Sequence, residues 1–224
     1  NPRSLCGGSH LRQNLLCRHK RIRSGDNGSA HYKIVCPCGY SLRRSHDTAL
    51  VIRHRTRGAD AGAKAIIVCE PAANLVYFSP NQLEEGFEIF DRYVMSPMRR
   101  IKKLLDDKGV DLIFHDCGEL TNGMVSRFST LHPAMMSLGC SRSLWEDAAL
   151  VPKTTVLYGN LPTKKFYSPQ LTVADVESLS RELLGKMRAA GHPFILGSEC
   201  DVLSVPGSEQ EILSKVDAFM KVSA

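Results

Sequence analysis

The chain has 224 residues, 43% of them hydrophobic, and carries a net charge of +6. This length allows one domain with a sizeable core or two small ones, and the composition is that of an ordinary globular protein. No apolar run approaches the roughly 20 residues of a membrane span, and the N-terminus lacks the apolar stretch of a signal peptide, so we expect a cytoplasmic protein. Eight cysteines are too sparse for a disulfide scaffold, and we interpret them as thiols or metal ligands.

The charge is unevenly distributed along the chain. Residues 1–58 hold twelve Lys or Arg and two acidic residues, a net charge of +10, whereas residues 59–224 carry −4. So abrupt a change predicts a boundary near Gly58. Residues 1–58 show no helical or strand period, and we predict an atypical basic segment that is poorly ordered or displaced. A basic module that binds nucleic acid is an alternative that we do not favour, although Lys and Arg do neutralise phosphates.

Residues 59–224 have regular patterns. Short apolar runs predict five buried strands, at 63–70, 110–117, 134–139, 154–160 and 192–197. Apolar residues at spacings of three and four predict helices at 79–109, at 172–191 and at 208–220, with a break or kink at Pro97. Thr172 and Asp175 have the spacing of a capping box, which marks a helix start. This alternation predicts a parallel sheet with crossover helices, either doubly wound or a barrel.

Polar and thiol side chains follow these predicted strands at their carboxyl ends. They are Glu70, the group His115, Cys117 and Glu119, then Cys140, Asn160, and the group Glu199, Cys200 and Asp201. Parallel α/β folds carry their chemistry at the carboxyl ends of the strands, where neighbouring strands end on one rim. We therefore predict a single site at that rim.

The segments "GAKAIIVCEP", "LIFHDCG", "VLYGNLP" and "FILGSECDV" resemble the uroporphyrinogen decarboxylase superfamily in order and spacing. The resemblance implies a (β/α)8 TIM-barrel fold in which the five predicted strands are strands four to eight. It covers roughly three quarters of this chain, from about Ala59 onward, but only the second half of a usual family member. A truncation, or a change of reading frame upstream, would account for the dissimilar residues 1–58.

Two branches of the superfamily are relevant. At the eighth strand the decarboxylases carry a sequence similar to "LGHG", where this chain reads "LGSECD". After the sixth strand they carry an Asp-Trp pair, and this chain has Cys140 in place of the acid. These departures argue against decarboxylation of uroporphyrinogen in tetrapyrrole synthesis, which we keep as an alternative function. An inactive barrel fragment is a further alternative.

The cobalamin-dependent methyltransferases have a zinc motif, His-x-Cys followed about eighty residues later by a second Cys. This chain has His115 and Cys117, and 82 residues separate Cys117 from Cys200. The resemblance implies that these three side chains bind zinc, with Cys140 as a candidate fourth ligand. Two thiolates and one imidazole suit tetrahedral zinc and leave a position open for a substrate thiol.

Further residues receive roles in the same prediction. Glu70 and Glu199 are candidate catalytic groups, and either of them or Glu119 could accept a hydrogen bond from the His115 ring. Asn160 is expected to direct its amide into the pocket, and Arg142 to bind an anionic group at the rim.

The predicted function is that of an enzyme, a zinc-dependent methyltransferase or demethylase. It would work with a corrinoid (cobalamin) protein and a small methylated substrate or thiol acceptor. An open strand edge beside Glu70 also makes a homodimer a candidate assembly.

Overall fold

A computed structural model describes residues 57–84 and 86–223. The predicted boundary near Gly58 falls at the start of the first range, and the basic segment up to residue 56 lies outside the described residues. Within the part of the chain that is described, no helix combines the length and apolar character needed to cross a bilayer.

The chain folds as an α/β structure around one parallel sheet. Its strands are β1 (Ala65–Cys69), β2 (Asp111–Asp116), β3 (Met135–Leu138), β4 (Val156–Leu161) and β5 (Phe194–Ser198). They are paired in parallel in the order β1-β2-β3-β4-β5. Each of the five predicted strands is confirmed, with its ends shifted by one or two residues.

Helices and short helical turns connect the strands. They are α1 (Pro80–Glu84), α2 (Glu88–Phe90), a π-helical turn (Asp91–Met95), α3 (Ser96–Asp107), α4 (Asn122–Ser129), α5 (Leu144–Asp147), a 3-10 turn (Thr163–Lys165), α6 (Val173–Ala190) and α7 (Glu209–Ser223). The single helix predicted at 79–109 is therefore wrong in its first part. Gly86 and Phe87 both adopt positive φ angles, 74° and 63°, which interrupt it before Pro97 enters the first turn of α3.

The capping box predicted at the start of α6 is confirmed. The Thr172 hydroxyl accepts a hydrogen bond from the backbone N–H of Asp175 at 3.1 Å, and the Asp175 carboxylate accepts one from the N–H of Thr172 at 2.8 Å. Gly191 ends the helix in the left-handed conformation, with a φ of 60°. Ser180 lies in the buried stripe of this helix, whereas the apolar residue before it, Leu179, is 37% exposed.

The two faces of the sheet differ in their surroundings. Residues on one face are buried against helices, among them Val68 on β1, Phe114 on β2 and Met136 on β3. The Phe114 ring packs against Phe128 of α4 with centroids 4.3 Å apart, and Phe128 lies 5.4 Å from Phe90. This aromatic cluster belongs to the main hydrophobic core and fixes α4 on β2. The other face carries half-buried residues such as His115.

The strand order is the one expected of consecutive strands in a barrel. In a doubly wound sheet the order reverses at a switch point, whereas here each strand neighbours the next one in sequence. An eight-stranded barrel needs three strands more than the described residues contain, so the complete barrel stays a prediction.

Candidate metal centre

Three predicted ligands converge on one point at the rim of the sheet. One donor atom each from His115, Cys117 and Cys200 lies within 4.8 Å of the other two, and all three residues are half-buried. β2 and β5 are three positions apart in the sheet, which would put them about 14 Å apart if the sheet were flat. The side chains meet because His115 lies at the end of β2 and Cys200 just beyond β5, both directed to the same side of a curved sheet.

His115 is oriented by the neighbouring strand. It pairs in register with Ser137 of β3, and its Nδ1 lies 3.0 Å from the Ser137 hydroxyl. Nε2 is then the ring nitrogen left for the thiols or for a metal. We predicted that a glutamate would orient this ring, and the structure corrects the residue to Ser137. Glu119 is exposed, and Glu199 contacts a different cysteine.

The two thiols of the cluster interact with each other. A hydrogen bond with Cys200 is the largest of the effects that hold the pKa of the Cys117 thiol far below its usual range, and a hydrogen bond with His115 adds to it. The same hydrogen bond raises the pKa of Cys200, and partial burial raises it further. The two sulfurs are therefore coupled, and the pair favours sharing one proton.

Lys164 was not predicted as a member of the site. It lies in the 3-10 turn directly after β4, where partial burial disfavours its charge. The attraction of Cys117 and Cys200, together with a hydrogen bond to Cys117, outweighs that burial and raises the pKa of Lys164. The sequence signal that could have identified Lys164 is a pair of lysines soon after the end of a predicted strand.

A buried lysine of α7 holds the turn that carries Lys164. Lys215 is 1% exposed, and its ammonium donates to the carbonyls of Phe166 at 2.8 Å and Ser168 at 2.7 Å. It also pairs with Glu211 at 2.6 Å. The charge of Lys215 is thus fully used in fixing the chain after β4.

Cys140 does not join the cluster, contrary to its prediction as a fourth ligand. Its backbone N–H donates to Glu199 Oε2 at 3.2 Å, and its thiol is hydrogen-bonded to the same carboxylate. Partial burial of its sulfur, followed by that hydrogen bond, raises the pKa of Cys140 to about 11, although the residue as a whole is exposed. Glu199, predicted as a catalytic group, is 5% exposed and holds the loop after β3.

Asn160 and Arg142 are both engaged in holding that same loop. The Asn160 amide donates to the carbonyls of Gly139 at 2.8 Å and of Arg142 at 2.9 Å. The Arg142 guanidinium forms an ion pair with the fully buried Asp147 and donates to the Leu120 carbonyl at 2.9 Å. The pairing with Asp147 takes up the positive charge that we expected to bind an anionic group.

Glu70, the remaining predicted catalytic residue, lies on the helix-covered side of the sheet. Cys69 pairs in register with His115, so the next positions, Glu70 and Asp116, share the opposite face. Both carboxyls are buried, and burial raises the pKa of Glu70 to about 7 and that of Asp116 to about 8. Asp116 Oδ1 accepts from the N–H of Gly118 at 2.8 Å, and its Oδ2 has no hydrogen-bond partner. The pair lies behind the cysteines, on the other side of β2.

Close backbone packing fixes the position of Cys117. A Cβ atom on Gly139 would lie 2.6 Å from the carbonyl oxygen of Cys117, a distance that real Cβ atoms do not reach. Only glycine therefore lets the loop after β3 approach the chain after β2 so closely.

Two sulfur donors and one imidazole nitrogen form a set that zinc prefers. The separation of these donors is compatible with bonds of about 2.0 to 2.3 Å to one tetrahedral ion after small side-chain movements. The residues present thus fit the metal that the sequence resemblance implies, with three protein ligands and one position left for a substrate.

Comparisons with known proteins agree with the α/β fold. No family model matches the sequence, and no curated protein matches it. Among solved structures, a methyltransferase from Methanosarcina mazei superposes with a TM-score of 0.57 at 18% sequence identity. The match covers 79% of this chain and 48% of that protein, so this chain spans about half the length of its structural neighbour. At this identity the similarity is one of fold.

Proposed function

We propose that this chain is the zinc-binding part of a methyltransferase that works with a corrinoid protein. The observation that carries the proposal is the convergence of His115, Cys117 and Cys200 at the carboxyl ends of β2 and β5. Chance association of one imidazole and two thiols at the rim of a parallel sheet is rare, and this rim is where such folds place their sites. The fold similarity to a protein named a methyltransferase supports the same proposal.

Bound zinc would supply a Lewis acid that stabilises the thiolate form of a substrate thiol near neutral pH. The chain's own residues would prepare the site for this step. The Ser137 hydroxyl would accept a hydrogen bond from the Nδ1–H of His115, which leaves Nε2 unprotonated for the metal. Two cysteine thiolates would balance the charge of a divalent ion, and Lys164 would then keep a positive charge beside a neutral centre.

The proposed reaction moves a methyl group between a sulfur of a small substrate and the corrinoid of a partner protein. A thiolate is a far stronger nucleophile than a thiol, so the protein needs to hold the substrate sulfur deprotonated and pointed toward the corrinoid. The loop after β3, tied down by Asn160 and Arg142, forms one wall beside the cysteines. We propose structural roles for these two residues in place of the catalytic and anion-binding roles predicted from sequence.

The proposed architecture is a (β/α)8 barrel of which the described strands form five. The five described strands supply only part of the rim of such a barrel. The identity of the methyl donor and acceptor therefore depends on parts of the pocket beyond these strands.

Zinc content tests the proposal directly. We expect the purified protein to bind one zinc ion per chain, measured by elemental mass spectrometry after dialysis. His115→Ala and Cys200→Ser should each lose the ion, because two remaining ligands hold zinc weakly. Cys140→Ser is the matched control, since Cys140 lies at the same rim but bonds to Glu199.

Methyl transfer is measured with methylcobalamin and a small thiol, by the change in corrinoid absorbance. Wild type and Cys140→Ser should catalyse the loss of the methyl group, whereas Cys200→Ser should not. Full zinc content and full turnover in Cys200→Ser would refute the proposed metal centre. Zinc binding without any methyl transfer would refute the enzymatic part alone.

A further inference from the structure

The sulfurs of Cys117 and Cys200 lie next to each other although 82 residues separate them in the chain. We propose that, in the metal-free protein, these two thiols form a reversible disulfide by exchange with a small-molecule disulfide, and that metal binding prevents this modification. The metal protection rests on the proposed function, whereas the disulfide itself rests only on the position of the two sulfurs.

The distance between the two sulfurs favours formation of the disulfide. The two sulfurs lie within 4.8 Å of each other, so a small approach brings them to the S–S distance of about 2.05 Å. Cys200 belongs to the stretch 199–207, which contains neither helix nor strand, and Val202 and Leu203 beside it are each 42% exposed. An exposed irregular segment can move by this amount at lower cost than a paired strand.

Access from solvent is also present. Cys117 and Cys200 are both half-buried, and their sulfurs lie beside His115, which is on the face of the sheet opposite the main helical core. A small disulfide can therefore reach the pair, whereas a bulky protein partner would need the rim to open.

The placement of the two residues favours Cys117 as the first sulfur to react. Cys117 follows β2 directly, on the same side as His115, whereas Cys200 belongs to the irregular stretch 199–207 and can move toward it. In the first step the Cys117 sulfur attacks one sulfur of the small disulfide, the S–S bond of the reagent breaks, and one thiol leaves. In the second step the Cys200 sulfur attacks Cys117 and releases the second thiol. The two cysteines together lose two electrons and two protons, which the reagent takes up as it becomes two thiols.

Cys140 provides an internal comparison. It is exposed at the same rim, but its thiol is hydrogen-bonded to Glu199 and it is not part of the three-residue cluster. Reaction at Cys140 should therefore stop at the mixed disulfide, because among the described residues no second thiol is placed to displace it.

The test uses the full chain and resolves each cysteine by peptide mass spectrometry. Metal is removed with a chelator, oxidised glutathione is added, remaining thiols are alkylated, and the protein is cut with trypsin. Cleavage after Lys or Arg places the three cysteines of this rim in separate peptides, 109–127 with Cys117, 128–142 with Cys140 and 189–215 with Cys200. We expect 109–127 joined to 189–215, lighter by two hydrogens than the sum of the two peptides and separated again by dithiothreitol.

Two variants and the addition of zinc serve as controls for the cross-link. In Cys200→Ser, peptide 109–127 should carry glutathione instead of the cross-link, since the displacing thiol is gone. Cys140→Ser should cross-link like wild type. Zinc added before the oxidant should slow the cross-link by about tenfold or more, because a metal-bound thiolate is a poorer nucleophile in exchange.

The disulfide is refuted if Cys117 in wild type ends as the glutathione adduct, or is joined to a cysteine other than Cys200. This failure is separable from failure of the proposed function. A protein that binds zinc through His115 and Cys200 but forms no cross-link overturns only the disulfide. A protein that forms the cross-link at equal rates with and without zinc, and binds none, supports the disulfide and overturns the metal centre.

Discussion

Replacing Glu70 with glutamine should stabilise the metal-free protein at alkaline pH and have much less effect in acid. Glu70 follows β1 directly, is 6% exposed, and receives one weak hydrogen bond, from the backbone N–H of Ala72 at 3.4 Å. Burial raises its pKa from 4.5 to about 7, and the bond from Ala72 only partly opposes this. The folded protein therefore holds a proton on Glu70 that the unfolded chain releases.

The sign and the size of this change in stability follow from the linkage between protonation and folding. A carboxyl whose pKa is raised in the folded state favours folding in acid, and this advantage is lost as pH rises from 4.5 through about 7. At pH 8 the cost of ionising Glu70 is about 3 kcal/mol, and at pH 5 it is about 1 kcal/mol. Glutamine fills nearly the same volume and does not ionise, so the variant avoids this cost. The charge of Glu70 also raises the pKa of Asp116, so its removal acts in the same direction there.

The free energy of unfolding is measured by urea denaturation, followed by circular dichroism, at pH 5 and pH 8 with a chelator present. Glu119→Gln is the matched control, because Glu119 is exposed and its ionisation should cost little. The gain in stability from Glu70→Gln should be larger by about 2 kcal/mol at pH 8 than at pH 5. Equal effects at both pH values, or a loss at pH 8, would show that Glu70 is ionised at little cost and would refute the reasoning.

Other variants test the site and its support. Ser137→Ala should weaken zinc binding by about 10- to 100-fold, measured by competition with a chromogenic chelator, while Ser129→Ala, another buried serine, should leave it unchanged. Asp147→Asn should destabilise the protein by about 3 kcal/mol in urea, because Arg142 is left with a largely buried and unbalanced charge. Thr172→Ala should cost about 1 kcal/mol in the same assay, through loss of the cap of α6.

The parts of the fold that the sequence predicted are those with strong local signals. Buried parallel strands are continuous apolar runs, so all five could be recognised. Helix α6 has a capping box and a terminal glycine. The short helices α4 and α5, of 8 and 4 residues, were missed because so few turns give little apolar period. Thr121, which caps α4, was a signal that could have been used.

The neighbours of the cluster could not be read from sequence in the same way. Contact between His115 and Ser137 depends on the register of two strands, which a single sequence does not fix. Lys164 reaches the cysteines only because the chain turns sharply after β4. Likewise, Asn160 at a strand end has the same appearance in sequence whether its amide faces a pocket or binds backbone carbonyls, as it does here.

The spacing of His115 and Cys117 itself explains part of this arrangement. Side chains two positions apart in an extended chain lie on the same side, so a ligand pair at the end of a strand needs one residue between its members. That residue, Asp116, must point to the opposite side, which here is the buried face beside Glu70. An apolar residue would fill that face at no electrostatic cost, but Asp116 also accepts the N–H of Gly118 and so holds the turn that follows Cys117. Together with the close contact at Gly139, this hydrogen bond fixes the backbone from which Cys117 reaches toward Cys200. The positions of the proposed metal ligands His115 and Cys117 are therefore determined from both sides of the strand.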